Sequence, residues 1–164
     1  MPARIFDDLL ICKQRAYFTL TRAKAIEDQR LLYEKKNDIG CGETEPKYLF
    51  LNVGLSWYKV VGIPDCIRDN LVIEFTITRG MIKHLIGRAV IYSYMAMRDG
   101  NPYSTLIIPT TIGEDTGYLV IPNSRVIDYL SESLKEVIEE KFKASKNKFC
   151  NACLYKRQCA YYYM

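Results

Sequence analysis

Three of the six cysteines lie in the last fifteen residues of the chain, within KNKFCNACLYKRQCAYYYM. Cys150, Cys153 and Cys159 follow the spacing C-x2-C-x5-C, which is too tight to staple a fold with disulfides but lets three thiolates reach one point. Thiolates bind zinc and iron–sulfur clusters alike, so this chemistry leaves the kind of metal open. Either centre needs a fourth ligand from elsewhere in the chain.

Two carboxylates form a second candidate site, in the stretch GIPDCIRDNLVIEFTITRG. Two antiparallel strands joined by a tight hairpin would bring Asp65 and Glu74 to one edge of a sheet, where carboxylate oxygens hold Mg²⁺ or Mn²⁺. Such an ion would activate water and neutralise charge on a scissile phosphate. The alternative interpretation is that Asp65 is a turn residue and Glu74 a surface charge.

Basic and aromatic side chains surround the cysteine tail. They are Lys141, Lys143, Lys146, Lys148, Lys156 and Arg157, interleaved with Phe149, Tyr155 and Tyr161 to Tyr163. Basic groups neutralise phosphates while aromatic faces stack on unpaired bases. The net charge of +4 is compatible with a phosphate-bearing partner, although the alternative is a solvated C-terminus.

The composition favours a single domain over residues 1–164, because 164 residues with 49% hydrophobic content bury one sizeable core. No membrane span or signal peptide is evident, so we expect a soluble, cytoplasmic protein. In a reducing compartment the cysteines are expected to be ligands or buried apolar residues rather than disulfide partners. We interpret Cys66 as a core-facing residue and leave Cys41 unassigned.

Periodicity predicts the order helix, three strands, helix, two strands, helix, cysteine tail. The segments are one or two helices from Pro2 to about Tyr33, a loop over Asn37–Lys47, three antiparallel strands within 48–78, a helix over Met81–Arg98, two strands within 105–121, and an amphipathic helix that begins with Ser124 as its N-cap.

Two motifs carry a resemblance to a known family. The pattern PD, eight residues, EFT, and then a helix resembles the PD-(D/E)XK nuclease superfamily. The stretch ICKQRAYF resembles the Cys-x-x-(Arg/Lys)-(Ala/Phe)-(Tyr/Phe) element of the CRISPR-associated Cas-four nucleases, relatives of the RecB nuclease domain. The resemblance implies a restriction-endonuclease-like α/β fold, with a mixed sheet flanked by helices and a metal-cluster appendage over residues 144–164. It also implies that Cys12 joins Cys150, Cys153 and Cys159 around a [4Fe-4S] cluster, with Zn²⁺ as the alternative.

The sequence departs from the family at three positions. Thr76 stands where the motif has Lys, and a hydroxyl supplies no positive charge. The family has a metal-binding His before the first strand, but the one histidine, His84, follows Glu74 and is interpreted as a satisfied partner on the helix. Glu43 and Glu45 lie in the upstream segment instead. In the downstream Gln-x-x-x-Tyr motif, Arg88 replaces Gln and Tyr92 is in place.

Two interpretations of the catalytic centre follow. Either the cation has moved to Lys83, Arg79 or Arg88, and the protein is a deoxyribonuclease dependent on Mg²⁺ or Mn²⁺ at Asp65 and Glu74, or the centre is degenerate and the protein binds DNA without efficient cleavage. We expect the second. The expected partners are DNA that is single-stranded or has free ends, and CRISPR adaptation proteins. A small zinc-stapled regulatory protein is the alternative from another class.

Overall fold

The computed structural model describes residues 1–21, 41, 44–76, 83–109 and 117–160. Within these ranges the chain forms four α-helices, which are α1 Ile5–Ile11, α2 Lys13–Leu20, α3 Ile86–Met95 and α4 Ser124–Ile138. Short 3₁₀ turns occupy Lys83–Leu85, Cys150–Ala152 and Lys156–Gln158. The rest of the helix prediction before Tyr33 and most of the predicted loop lie outside the described residues.

Six described strands form two sheets. The strands are β1 Lys47–Val53, β2 Ser56–Gly62, β3 Cys66–Arg68, β4 Leu71–Thr76, β5 Ser104–Pro109 and β6 Tyr118–Val120. Strands β1 and β2 form an antiparallel hairpin of their own, and the second sheet has the order β3-β4-β5-β6. Strands β4 and β5 are parallel while the outer pairs are antiparallel. The expectation of an α/β fold with a mixed sheet is confirmed.

The expectation of three successive antiparallel strands before α3 is wrong, because this part of the chain contains two separate hairpins. Gly54, with a φ of 65°, turns the chain between β1 and β2. Asp69 and Asn70, with φ of 50° and 65°, make the two-residue turn between β3 and β4. The three residues between β2 and β3 connect the first sheet to the second.

Two helix boundaries also differ from the expectation. The helix predicted to continue to Arg98 ends at Met95, before the Asp99–Gly100 turn, where both residues have positive φ. The N-cap of α4 is Asn123 instead of Ser124, because the Asn123 side chain accepts a hydrogen bond from the Arg125 N–H at 2.9 Å. Either residue type caps a helix well, so the sequence did not distinguish them.

The expectation that no cysteine forms a disulfide is also wrong, because Cys41 and Cys66 are bonded to each other. Their Cα atoms lie 5.5 Å apart, within the usual range for a disulfide. Cys66 is buried, as expected of a core-facing residue, and it starts strand β3. Thr44 adds a hydrogen bond to the Pro64 carbonyl, so the loop before β1 is fixed beside Asp65.

The main core lies where α1, α3 and α4 pack against the inner face of the β1–β2 hairpin and against each other. Its fully buried side chains include Ile5, Phe6, Val60, Ile91 and Leu134. Helix α3 connects the parallel strands β4 and β5 and contacts both. Among the described helices, none has the length and apolar character that a bilayer span requires.

Gly87 brings α1 and α3 into close contact. A Cβ atom at this position would lie 2.3 Å from the carbonyl oxygen of Phe6, which is backbone and has no room to move. The approach sets Asp7 beside Arg88, whose backbone N–H donates to Asp7 Oδ1 at 2.8 Å. The absence of a side chain at Gly87 therefore allows the contact between α1 and α3 that places Asp7 and Arg88 together in the site described below.

We predict that Gly87→Ala lowers the free energy of unfolding by roughly 1–3 kcal/mol, although Ala usually stabilises a helix relative to Gly. Urea unfolding measures the change. Gly117→Ala is the control, because the Cβ atom it adds would meet the movable end of the Leu106 side chain. The control should cost less than about 1 kcal/mol. A Gly87→Ala variant as stable as the unmodified protein would contradict the close contact.

Candidate functional site

Asp65 and Glu74 lie side by side at the start of the β3–β4 hairpin. Strand pairing places Cys66 opposite Ile73, so the residues just outside this pair, Asp65 and Glu74, are neighbours. The Asp65 backbone N–H donates to Glu74 Oε1 at 2.9 Å, and the Phe75 N–H donates to Asp65 Oδ2 at 2.9 Å. Glu74 is only 4% exposed, so its interpretation as a surface charge is wrong.

Arg88 joins Glu74 to a third acid, Asp7 of helix α1. The Arg88 Nε atom lies 3.5 Å from Glu74 Oε2 and 3.3 Å from Asp7 Oδ2. Helices α1 and α3 and strand β4 each contribute one residue to this contact. With Asp65 added, we call the group the acid–arginine cluster (Asp7, Asp65, Glu74 and Arg88). Arg88 therefore reaches Glu74, as one of the two interpretations of the sequence requires.

The acid–arginine cluster has more acid groups than its one guanidinium neutralises. Burial raises the pKa of Glu74 to about 8, against the opposing effect of Arg88, and the Asp65 carboxylate raises it further. Burial also raises the pKa of Asp7 to about 7, with Arg88 again opposing. Burial would lower the pKa of Arg88, but Asp7 and Glu74 outweigh it and raise that pKa. Arg88 stays charged, and at neutral pH Glu74 holds a proton for most of the time.

Tyr92 lies one helical turn after Arg88 and closes one side of the cluster. Its hydroxyl donates to the Ile63 carbonyl at 3.4 Å, and its ring centroid lies 6.0 Å from the Arg88 guanidinium carbon. Burial, with Glu74 as the next cause, raises the pKa of the Tyr92 hydroxyl. Tyr92 is therefore a hydrogen-bond donor at neutral pH.

The other residues predicted at this site are placed as follows. Thr76 is buried at the end of β4. Lys83 lies in the 3₁₀ turn before α3, but its side chain is outside the described part of the chain, as are Arg79 and Glu43. Glu45 is exposed, and His84 packs against the Phe149 ring at 5.7 Å between centroids.

An open cleft of about 390 Å³ lies beside the cluster, between α1, the start of α3 and the cysteine tail. Its polar lining combines both signs of charge and consists of Arg4, Asp7, Asp8, Arg15, Thr76, His84 and Arg88. Phe149 and Leu154 contribute apolar surface from the tail. Arg88 and Asp7 therefore line this open cleft as well as forming part of the cluster.

The tail is anchored to α2 by a buried hydrogen-bond chain. Thr19 Oγ1 donates to Asp8 Oδ2 at 2.5 Å and lies 3.0 Å from the Tyr155 hydroxyl, while Arg15 pairs with Asp8. Tyr155 is only 1% exposed and packs against the Phe18 ring. The prediction that Tyr155 stacks on bases is therefore wrong, because its ring belongs to the interior. Tyr161 to Tyr163 lie outside the described residues.

The four cysteines of the predicted metal centre line one small pocket of about 20 Å³. Cys12 lies at the break between α1 and α2, and Cys150, Cys153 and Cys159 lie in or beside the 3₁₀ turns of the tail. All four are free thiols and partly exposed. The structure thus brings the N-terminal cysteine to the tail, across more than a hundred residues of sequence.

Asn147 holds the two halves of this pocket together. Its side-chain amide donates to the Ile11 carbonyl at 3.2 Å, one residue before Cys12, and its Oδ1 accepts from the Phe149 N–H at 2.9 Å. Its backbone N–H donates to Cys150 Sγ at 3.2 Å. None of these contacts was anticipated from the sequence, because an Asn in a polar tail has no distinguishing pattern.

The donor set of the pocket fits a thiolate-bound centre. Four thiols from two chain segments line one small pocket, and four thiolates are the ligand set of both a [4Fe-4S] cluster and a structural zinc ion. Burial raises the pKa of the Cys153 thiol, and Cys12 and Cys159 contribute in the same direction. As the thiols are placed, no three His, Cys, Asp or Glu side chains of the described residues form a group that could hold a metal ion. The choice between iron–sulfur and zinc stays a prediction.

Comparison with known proteins identifies a similar fold. No protein-family model matches the chain, and no curated protein matches it. Among solved structures it is similar to "Crystal structure of SSO0001", with 18% sequence identity and a TM-score of 0.66. The match covers 98% of this chain and 86% of that chain. The two chains share a fold over nearly their whole length.

Sequence reasoning missed Asp7 as a member of the site. The signal was present in α1, IFDDLLI, because two adjacent acids interrupt an otherwise apolar helix of seven residues. Both acids are buried, and buried carboxylates need charged or hydrogen-bonded partners. Asp7 forms an ion pair with Arg88, and Asp8 forms one with Arg15.

We predict that Cys12→Ser lowers the iron or zinc content per polypeptide to a small fraction of that of the unmodified protein, because the centre loses one of four ligands. Elemental analysis after anaerobic purification measures it, and a brown colour distinguishes iron–sulfur from zinc. The matched control is Cys41→Ser with Cys66→Ser, which removes two cysteines outside the pocket and should keep the metal. Full metal content in Cys12→Ser would contradict the assignment.

We also predict a pH dependence of stability to which Glu74 is a main contributor. Its folded-state pKa of about 8 lies above the ordinary 4.5, so between these values the folded chain binds more protons than the unfolded chain. This contribution to the free energy of unfolding is full below pH 4.5 and lost as the pH rises through about 8. The difference between these two pKa values corresponds to a loss of at most roughly 5 kcal/mol in total.

Urea unfolding from about pH 4 to about pH 9, a range that includes both pKa values of Glu74, measures this dependence. Glu74→Gln should make it less steep, because the amide does not titrate, while Asp7, whose pKa burial raises to about 7, keeps the remaining part. Glu132→Gln is the control, since the Glu132 side chain is exposed on α4, and it should leave the slope unchanged. An equal slope in Glu74→Gln and the unmodified protein would exclude Glu74 as the source.

Proposed function

We propose that this protein binds DNA through a RecB-like PD-(D/E)XK fold in which Arg88 occupies the carboxylate site, so that cleavage is weak or absent. A thiolate-bound centre, [4Fe-4S] or zinc, would join the tail to the N-terminal helices and supply a covalent link between them. Residues Cys12, Cys150, Cys153 and Cys159 would hold it. CRISPR adaptation proteins are the partners that the family resemblance suggests.

The arrangement of elements supports the nuclease-like part of the proposal. The strand pair that carries Asp65 and Glu74 is followed by α3 and a parallel strand, and the carboxylates lie at one edge of the mixed sheet. The resemblance requires a helix directly after the second acid, and α3 contributes Arg88 and Tyr92 from that helix. The mixed sheet and the position of the acids are thus compatible with the family.

The contact of Arg88 with both Asp7 and Glu74 is the observation that carries the proposal. A divalent cation needs ionised carboxylates with free lone pairs. In this cluster the N–H groups of Asp65, Phe75 and Arg88 already donate to the carboxylate oxygens, and Glu74 is mostly protonated at neutral pH. Binding of Mg²⁺ would have to displace Arg88 and remove that proton.

A metal-dependent nuclease is the second candidate, and one observation favours it. The motif lacks Lys at Thr76, and the Arg88 Nε atom lies 3.5 Å from Glu74 Oε2, near the position where a substitute cation is needed. In that case Arg88 would turn toward the scissile phosphate when the metal binds. The two candidates differ in one measurable property, which is cleavage that depends on Asp65.

We predict that the unmodified protein binds end-labelled DNA and cleaves it no faster than Asp65→Ala does in Mg²⁺ or Mn²⁺. Binding is measured by fluorescence anisotropy at several salt concentrations, and log K should fall linearly with log salt because phosphate contacts release counterions. Gel analysis of single-stranded and double-stranded substrates measures cleavage. Efficient cleavage that Asp65→Ala abolishes would favour the nuclease, and absence of binding at low salt would exclude both candidates.

A further inference from the structure

The β1–β2 hairpin has an outer face that the fold does not use. Alternate residues Leu51, Val53 and Val60 point inward and are buried in the core. The six outward residues form three cross-strand pairs, namely Tyr48 with Val61, Phe50 with Lys59, and Asn52 with Trp57. We call these six residues the hairpin outer face.

Large aromatic side chains are exposed on this face. Tyr48, Phe50 and Trp57 are 59%, 56% and 68% exposed. The outer face of an antiparallel hairpin normally carries polar residues, because it contacts water. Each cross-strand pair on this face contains one aromatic ring instead, and a concentration of exposed apolar surface of this kind marks an interaction site.

The charge on the hairpin outer face is of one sign. Lys59 is its only ionisable side chain apart from the Tyr48 phenol, and the Lys59 ammonium lies 4.6 Å from the centroid of the Tyr48 ring. Asn52, Tyr48 and Trp57 supply further hydrogen-bond donors, while no carboxylate occupies any of the six positions. A partner that brings negative charge and flat rings complements this face.

We infer that the hairpin outer face binds unpaired bases of a single-stranded nucleic acid, with Tyr48, Phe50 and Trp57 as stacking platforms and Lys59 at a phosphate. The inference rests on the proposed function for the class of ligand, but it uses residues outside the acid–arginine cluster. Base stacking on exposed aromatic side chains beside a basic group is the recurrent mode of single-strand binding.

The spacing of the rings favours a single strand over a duplex. Outward residues two apart on a strand are separated by about 6.8 Å, twice the rise between stacked bases, so bases on Tyr48 and Phe50 cannot stack on each other. The two rings lie 5.9 Å apart between centroids and are nearly perpendicular. A duplex keeps its base faces covered and offers nothing to these rings.

A second copy of the chain fits the face less well. A two-fold contact would set the same patch against itself, and neither copy would offer a carboxylate to the other copy's Lys59. Two lysines would then approach each other within an apolar contact. A nucleic-acid strand offers a phosphate at the same place.

The test uses the intrinsic fluorescence of Trp57, which is the one tryptophan in the chain. Titration of the whole protein with a twelve-nucleotide oligo(dT), a length of about one single-strand site, and without added divalent cation should quench this emission. The matching duplex should leave it nearly unchanged. Anisotropy of a labelled oligo(dT) should show that Phe50→Ala and Trp57→Ala each weaken binding at least about five-fold.

Tyr48→Ala has a matched control in Tyr129→Ala. Both tyrosines are 59% exposed, but Tyr129 lies on α4, away from the hairpin outer face. Tyr48→Ala should weaken oligo(dT) binding at least about five-fold, and Tyr129→Ala less than about two-fold. Thermal unfolding checks that the variants fold. Both substituted side chains are exposed, so little loss of stability is expected.

The outcomes separate this inference from the proposed function. If the unmodified protein binds neither oligo(dT) nor duplex, both fail. If it binds DNA but Trp57 emission and the three aromatic variants are unaffected, only the hairpin inference fails. If light scattering shows a dimer that the aromatic variants convert to monomer with unchanged oligo(dT) affinity, the face is an interface between copies and the inference is overturned.

Discussion

The buried contact of Arg88 with Asp7 and Glu74 is the interaction on which the rest of this structure depends. It joins α1 to β4 and α3, two elements that lie far from α1 in the sequence. Removing one partner of a buried ion pair leaves an uncompensated charge, at a cost of about 3–5 kcal/mol. The close approach at Gly87 makes the contact possible. These charged side chains therefore help to hold α1 against β4 and α3.

Helix α1 connects the two candidate sites. Its two adjacent acids contact different partners. Asp7 pairs with Arg88, while Asp8 pairs with Arg15 and accepts a hydrogen bond from Thr19. The Thr19 hydroxyl in turn contacts the hydroxyl of the buried Tyr155 in the tail. At its end, the Ile11 carbonyl accepts from Asn147 beside the cysteine pocket. Helix α1 therefore contacts both the acid–arginine cluster and the surroundings of the cysteine pocket.

The sequence predicted those features that depend on local patterns. The Asp69–Asn70 turn follows from two residues that tolerate positive φ, and it placed Asp65 beside Glu74 correctly. Features set by tertiary contact escaped prediction. Successive strands look alike whether or not they share a sheet, so the separate β1–β2 hairpin was missed. The Cys41–Cys66 bond joins residues with no spacing signal, and Asp7 sits in a helix of seven residues, too short for periodicity to show which face is buried. The approach of Cys12 to the tail came from the family resemblance.

Arg88 neutralises part of the negative charge of the acid–arginine cluster, and this affects which ligands can approach the cluster. Ionised carboxylates that lie close together repel a phosphate backbone. In a metal-dependent nuclease, bound divalent ions neutralise the carboxylates and remove this repulsion. In this cluster Arg88 and the proton on Glu74 remove most of that repulsion without any metal. The adjoining cleft also presents Arg4 and Arg15. Arg88 therefore lowers the negative charge at the carboxylates and, from the same position, competes with any cation for Asp7 and Glu74.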